Sequence, residues 1–99
     1  MLEIPQSVKH SLKNIGFDMA QIQTIFFLFK ESMVTIADIA TGVALPRSTI
    51  HLAVETLIER GVLGATVSGK RRHIYIENPE KIRKYIEHEE LIAQKKLSE

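Results

Sequence analysis

The sequence predicts one mainly α-helical domain with a single small β-hairpin, an α+β arrangement. Three observations carry this expectation. Apolar residues recur at three-and-four spacing in four separate stretches before residue 61. The spacing then falls to two between Leu63 and Ile76. Two of the helical stretches are preceded by a Thr or Asp with its capping-box partner three residues on. With 99 residues, 44% apolar and 25% charged, the chain suffices for one modest core and is too apolar for a disordered segment.

The elements follow in order. Ile4, Val8, Leu12 and Ile15 recur at helical spacing behind Pro5, and Gly16 is a natural stop, which predicts a first helix over 5–15. Asp18 reads as an N-cap with Gln21 as its partner, and Phe17 and Ile22 can close as a hydrophobic staple around it. This second helix runs to about Glu31, with Ile22, Ile25, Phe26 and Phe29 as its core stripe; Phe27 and Leu28 add apolar surface beyond one face. Thr35 repeats the start signal with Asp38 and a Val34/Ile39 staple, so a short third helix is expected from Ile36 to about Thr41, ended by Gly42. Only Val43, Ala44 and Leu45 then separate Gly42 from Pro46, the length of a tight turn between helices.

Pro46 suits the first turn of a fourth helix, 46–60, and Gly61 suits its left-handed end. Ile50, Ala53, Val54, Leu57 and Ile58 form its buried stripe, and Arg47, Ser48, Thr49, His51 and Leu52 crowd the opposite side of its first two turns. Leu63, Ala65 and Val67 alternate on the first limb of the hairpin, Ser68, Gly69 and Lys70 turn it, and the return carries Arg71, Arg72, His73, Ile74 and Ile76. Asn78 and Pro79 start a last helix, 79–97, lined by Ile82, Tyr85, Ile86, Ala93 and Leu97 with Ile92 at its border.

The whole-chain charge, 13 basic against 12 acidic residues, says little about partners, but its distribution does. Residues 1–45 hold Lys9, Lys13 and Lys30 against four acids, whereas residues 46–76 hold Arg47, Arg60, Lys70, Arg71 and Arg72 against Glu55 and Glu59. The absence of cysteine excludes disulfides, thiolate metal sites and a Cys nucleophile. The longest apolar run, Ile25 to Phe29, falls far below the roughly 18 residues of a membrane span, and no signal pattern opens the chain. A soluble, cytoplasmic protein is expected. His10, His51, His73 and His88 are scattered without metal-ligand spacing, and no phosphate-cradling Gly loop or supported nucleophile–base pair is present, so neither catalytic residues, metal nor cofactor is assigned.

Helix, short helix, tight turn, exposed-faced helix and basic hairpin, in that order, spell a winged helix-turn-helix. The domain 1–99 is then a three-helix core plus wing over 17–76, flanked by N- and C-terminal helices. About three-fifths of the chain resembles the TrmB-like and MarR-like winged-helix transcription regulators, with the closest likeness in IADIATGVALPRSTIHLAVETLIERGVL. Ile39, Ala40, Leu45, Pro46, Arg47, Ser48, Thr49, Ile50, Val54, Leu57, Gly61 and Val62 carry it. The resemblance implies a transcriptional regulator that binds double-stranded DNA in sequence-specific fashion as a homodimer.

An α-helix fits the B-DNA major groove, and the residues of its first turns reach base edges and phosphates. The candidate DNA-contact set is Thr35, Pro46, Arg47, Ser48, Thr49, His51, Leu52, Lys70, Arg71 and Arg72. Arg47 fits either a guanine or a phosphate, and the wing residues fit adjacent backbone or minor groove. Glu55 and Glu59 repel phosphate, so the N-terminal end of the helix is the part expected to insert. Candidate dimer residues are Val8, Leu12, Ile82, Tyr85, Ile86, Ile92, Ala93 and Leu97; packing of the last helix on the Phe26–Phe29 surface is the competing arrangement. No residue identifies a small-molecule effector. The alternative function is a winged-helix module for protein–protein assembly in a larger transcription or replication complex, which calls for an acidic or apolar reading face.

Overall fold

Local signals set the boundaries of most elements, and the core decides the rest. The computed structural model describes residues 6–14, 16–80 and 82–84, with backbone only at Ser7, Val8 and Ser11. Helix α1 (Gln6–Asn14) is closed by Gly16 at φ +96°, whose N–H donates to the Lys13 carbonyl at 3.0 Å. Asp18 caps α2 (Met19–Lys30): its carboxylate accepts from the Gln21 N–H at 2.8 Å, and the Gln21 side chain accepts from the Asp18 N–H at 3.0 Å. Phe17 and Ile22 are both buried across this cap, as a staple requires.

The buried face of α2 departs from the expected stripe. Ile22 and Ile25 are buried, but Phe29 is 49% exposed and Phe26 half-buried; Gln21, Thr24 and Leu28 take the inner positions instead. Both polar residues enter the core with their groups satisfied locally. The Thr24 hydroxyl donates to the Ala20 carbonyl at 2.8 Å, and Gln21 is held in the capping box. Satisfied in this way, they cost little to bury, and a count of apolar residues alone misplaces the face.

Helix α3 (Ile36–Val43) begins at the expected capping box: Thr35 Oγ1 accepts from the Asp38 N–H at 3.2 Å, and the Asp38 carboxylate accepts from the Thr35 N–H at 3.1 Å. It does not stop at Thr41 or Gly42. It runs on to Val43 and ends through Ala44, which adopts the left-handed region at φ 58°. Gly42 lies within the helix rather than after it, and the Phe27 ring fills the space where its Cβ would stand, so this glycine serves a close approach of two helices. Pro46 also stands one residue earlier than expected. With ψ at 146° it is the N-cap of α4 (Arg47–Glu59), outside the helix, while its carbonyl accepts from the Ile50 N–H at 3.1 Å. Gly61, at φ +76°, closes α4, and the Val62 N–H reaches the Leu57 carbonyl at 2.9 Å.

Strands β1 (Leu63–Ser68) and β2 (Arg71–Ile76) pair antiparallel from Leu63–Ile76 to Ser68–Arg71, leaving Gly69 and Lys70 as a two-residue turn. Gly69 has φ +65°, the glycine-first geometry that suits such a hairpin. The hairpin has a third, single-residue neighbour. Val34 and Ile74 exchange backbone hydrogen bonds of 3.1 and 2.7 Å, which ties the segment before α3 to the wing. Helices α2, α3 and α4 pack on one another, and the base of the hairpin rests on α2, α3 and α4. Leu12, Ile22, Ile25, Ile39, Ile50, Leu57 and Ile74 are fully buried among them. Helical residues resume at 79–80 and 82–84, and Ile82, 1% exposed, joins the same core.

Candidate nucleic-acid interface

Burial of Ile50, Ala53, Val54 and Leu57 orients α4 so that one side of its first two turns has nothing to pack against among the described residues. Arg47, Ser48, Thr49, His51 and Leu52 are all exposed there, Leu52 at 70%. The helix has no side-chain cap, which leaves its first backbone N–H groups outward-facing at a positive dipole end.

Three parts of the chain meet beside this end. An open cleft of about 440 Å³ is lined by Thr35, Ile36, Ala37 and Asp38 from the start of α3, Arg47 from the start of α4, and Arg71 and Arg72 from the wing. The Val34–Ile74 bridge explains the meeting, because it holds the start of α3 against the strand that carries both wing arginines. Of the expected contact residues, the structure therefore gathers Thr35, Arg47, Arg71 and Arg72 around one cleft. Ser48, Thr49, His51 and Leu52 lie on the adjoining helix face, Pro46 is exposed at its start, and Lys70 is exposed at the hairpin tip.

The charges are unevenly committed. Among the described residues, Arg47, Lys70 and Arg71 form no ion pair, whereas the Arg72 guanidinium donates to the Glu55 carboxylate of α4. That hydrogen bond, with the charges of Arg72 and His51, holds the Glu55 carboxyl below its ordinary range against the opposing effect of desolvation. Asp38 is lowered too, first by the Thr35 N–H and hydroxyl and then by the charges of Arg71 and His73. The Arg60 guanidinium turns away from this surface: it lies 4.0 Å over the Phe17 ring and donates to the Gly16 carbonyl at 3.4 Å.

Sequence reading missed the part played by Glu55, which it took only as a charge repelling phosphate, and it missed Ile36, Ala37 and Asp38 as cleft walls. The Thr35–Asp38 capping box was a signal for the last of these, since a cap marks where a helix opens. Among the expected dimer residues, the side chains of Leu12 and Ile82 are 0% and 1% exposed. Both belong to the chain's own buried core cluster. The side chain of Val8, and Tyr85, Ile86, Ile92, Ala93 and Leu97, lie outside the described residues.

A family model of the IclR helix-turn-helix domain matches residues 27–65, from the last turns of α2 through α3 and α4 to the first wing strand. No curated protein matches the chain in sequence. Among solved structures, the transcriptional regulator Tm0710 from Thermotoga maritima superposes with a TM-score of 0.69 at 19% identity, over 93% of this chain and 68% of that one. S. aureus MepR bound to an oligodeoxyribonucleotide superposes at 0.69 and 18% identity, over 94% and 70%. A MarR-family transcriptional regulator from Silicibacter pomeroyi superposes at 0.66 and 13% identity, over 85% of this chain; the chain spans 62% of that protein's length. The fold is thus the winged helix-turn-helix of transcription regulators. Within it, the helix-turn-helix over residues 27–65 is similar to that of the IclR type.

Proposed function

We propose that this chain is a DNA-binding transcription regulator that acts as a homodimer on double-stranded sites. The N-terminal end of α4 enters the major groove with Arg47, Ser48, Thr49, His51 and Leu52, and the wing lies on the adjacent backbone or minor groove with Lys70 and Arg71. The observation that carries the reading is the convergence of Arg47 and Arg71, from separate elements and without ion pairs among the described residues, on the cleft where α3 begins. Cations so placed meet successive phosphates, and side chains between them meet base edges. The exposed Leu52 suits apolar contact with a thymine methyl group. MepR bound to an oligodeoxyribonucleotide supplies a precedent on the same fold.

A twofold partner supplies the affinity that one small module lacks and makes the binding site palindromic. A cytoplasmic location accords with this role, and no helix among the described residues is long and apolar enough to cross a membrane. No catalytic role is proposed. The exposed Leu52 and Val67, 70% and 71% accessible, favour a second reading as a protein–protein assembly module. Selection of bound sequences from a random duplex pool separates the two: a DNA regulator enriches a two-half-site motif, and an assembly module enriches none.

A further inference from the structure

Arg72 and Glu55 join the wing to the recognition helix on the side expected to face DNA. Glu55 stands about one turn beyond His51 and Leu52, on the exposed face of α4. Its carboxylate accepts from Arg72, which lines the same cleft as Arg47 and Arg71, and the two side chains remain 38% and 42% exposed. A surface pair of this kind contributes little to folding stability. A mere fastening of the wing is unneeded, since Val34, Ile74, Val62 and Glu77 already hold the hairpin base by backbone hydrogen bonds of 2.7 to 3.1 Å. The pair is better placed to act on whatever approaches the cleft.

Sequence-independent binding to DNA is almost wholly a matter of phosphates meeting cations. Glu55 occupies one of the few cations on this surface and presents no net charge with it, so a phosphate must displace a carboxylate to use Arg72. Base-edge contacts from Arg47 to Leu52 do not pass through this pair. From this we infer that Glu55 is a specificity-determining residue: by holding Arg72 it weakens sequence-independent binding more than binding to a matched site. The inference rests on the DNA-binding reading and names a residue with no base contact of its own.

The test uses the full chain with Glu55→Gln, Arg72→Gln and the double variant, titrated against a selected duplex and a scrambled one over 50–200 mM salt, with far-UV circular dichroism to verify the fold. Glu55→Gln should tighten binding to the scrambled duplex by about threefold or more at the high-salt end relative to wild type. It should also steepen its log–log salt slope by about 0.9, one further phosphate contact, and lower the matched-to-scrambled ratio. The effect of Glu55→Gln should vanish in the Arg72→Gln background, which distinguishes release of Arg72 from loss of a repelling charge. Equal tightening on both duplexes, an unchanged slope, or the same effect with Arg72 absent overturns the inference and leaves the DNA-binding reading standing. Failure of wild type to bind either duplex overturns both.

Discussion

The ring of Phe27, on α2, fills the space in which a side chain at Gly42, on α3, would stand: a Cβ there would come within 2.8 Å of Phe27 Cδ2 and Cζ. Two effects oppose each other when Gly42 becomes alanine. Helix propensity favours the change by about 1 kcal/mol, while overpacking costs about 1–3 kcal/mol. Gly42→Ala should therefore destabilise the fold by about 1 kcal/mol in denaturant titrations. In a Phe27→Ala background the obstruction is gone, and the same substitution should become stabilising.

Both polar side chains buried on α2 are satisfied within the helix, and this predicts an asymmetry. Thr24→Val removes a hydroxyl whose one partner among the described residues is the Ala20 carbonyl, so it should change stability by less than about 1 kcal/mol. Asp18→Ala leaves a helix-start N–H without its acceptor and should cost about 1 kcal/mol. Thermal melts of the two variants check the order; a larger loss for Thr24→Val would contradict the packing described for α2.

Asp38 and Glu55 have carboxyls held below their ordinary values of 3.8 and 4.5. A carboxyl lowered in the folded state stabilises the fold at pH above its unfolded value, and that contribution is lost as pH falls through the lowered one. Stability should therefore decline on acidification below about pH 4.5. Asp38→Asn should flatten this decline in melting temperature followed from pH 7 to pH 3, and Glu55→Gln should flatten it only slightly, since an exposed pair contributes little to stability. An unaltered acid limb in both variants would show that neither interaction persists in solution.

How much of this was legible beforehand depended on whether a feature was local. Both capping boxes, the glycine stops at Gly16 and Gly61 and the tight turn before α4 involve groups a few residues apart, and they stood in the sequence; the hairpin turn did too, except that Ser68, expected in the turn, pairs with Arg71 as the last residue of β1. Gly42 was misread because a glycine near a helix end looks the same whether it ends the helix or admits a neighbour's ring, and only the position of Phe27 decides between them. Phe29 was misread because Thr24 and Gln21 look polar in sequence and are satisfied in place. The candidate site followed the same division. The exposed start of α4 and the basic wing could be read from spacing, whereas the Val34–Ile74 bridge that gathers them around Thr35 and Asp38, and the pairing of Arg72 with Glu55, are tertiary.

The central claim is tested most directly by fluorescence anisotropy of wild type, Arg47→Ala and Arg71→Ala against a duplex selected from a random pool, repeated over a range of salt. Wild type should bind, and Arg71→Ala should weaken binding to all sequences and reduce the log–log salt slope by about 0.9. Arg47→Ala should weaken binding as well and, where it reads a base, reduce discrimination at that position by about 1–3 kcal/mol. Absence of binding to any duplex at low salt, or affinities in both variants equal to that of wild type, would contradict the claim.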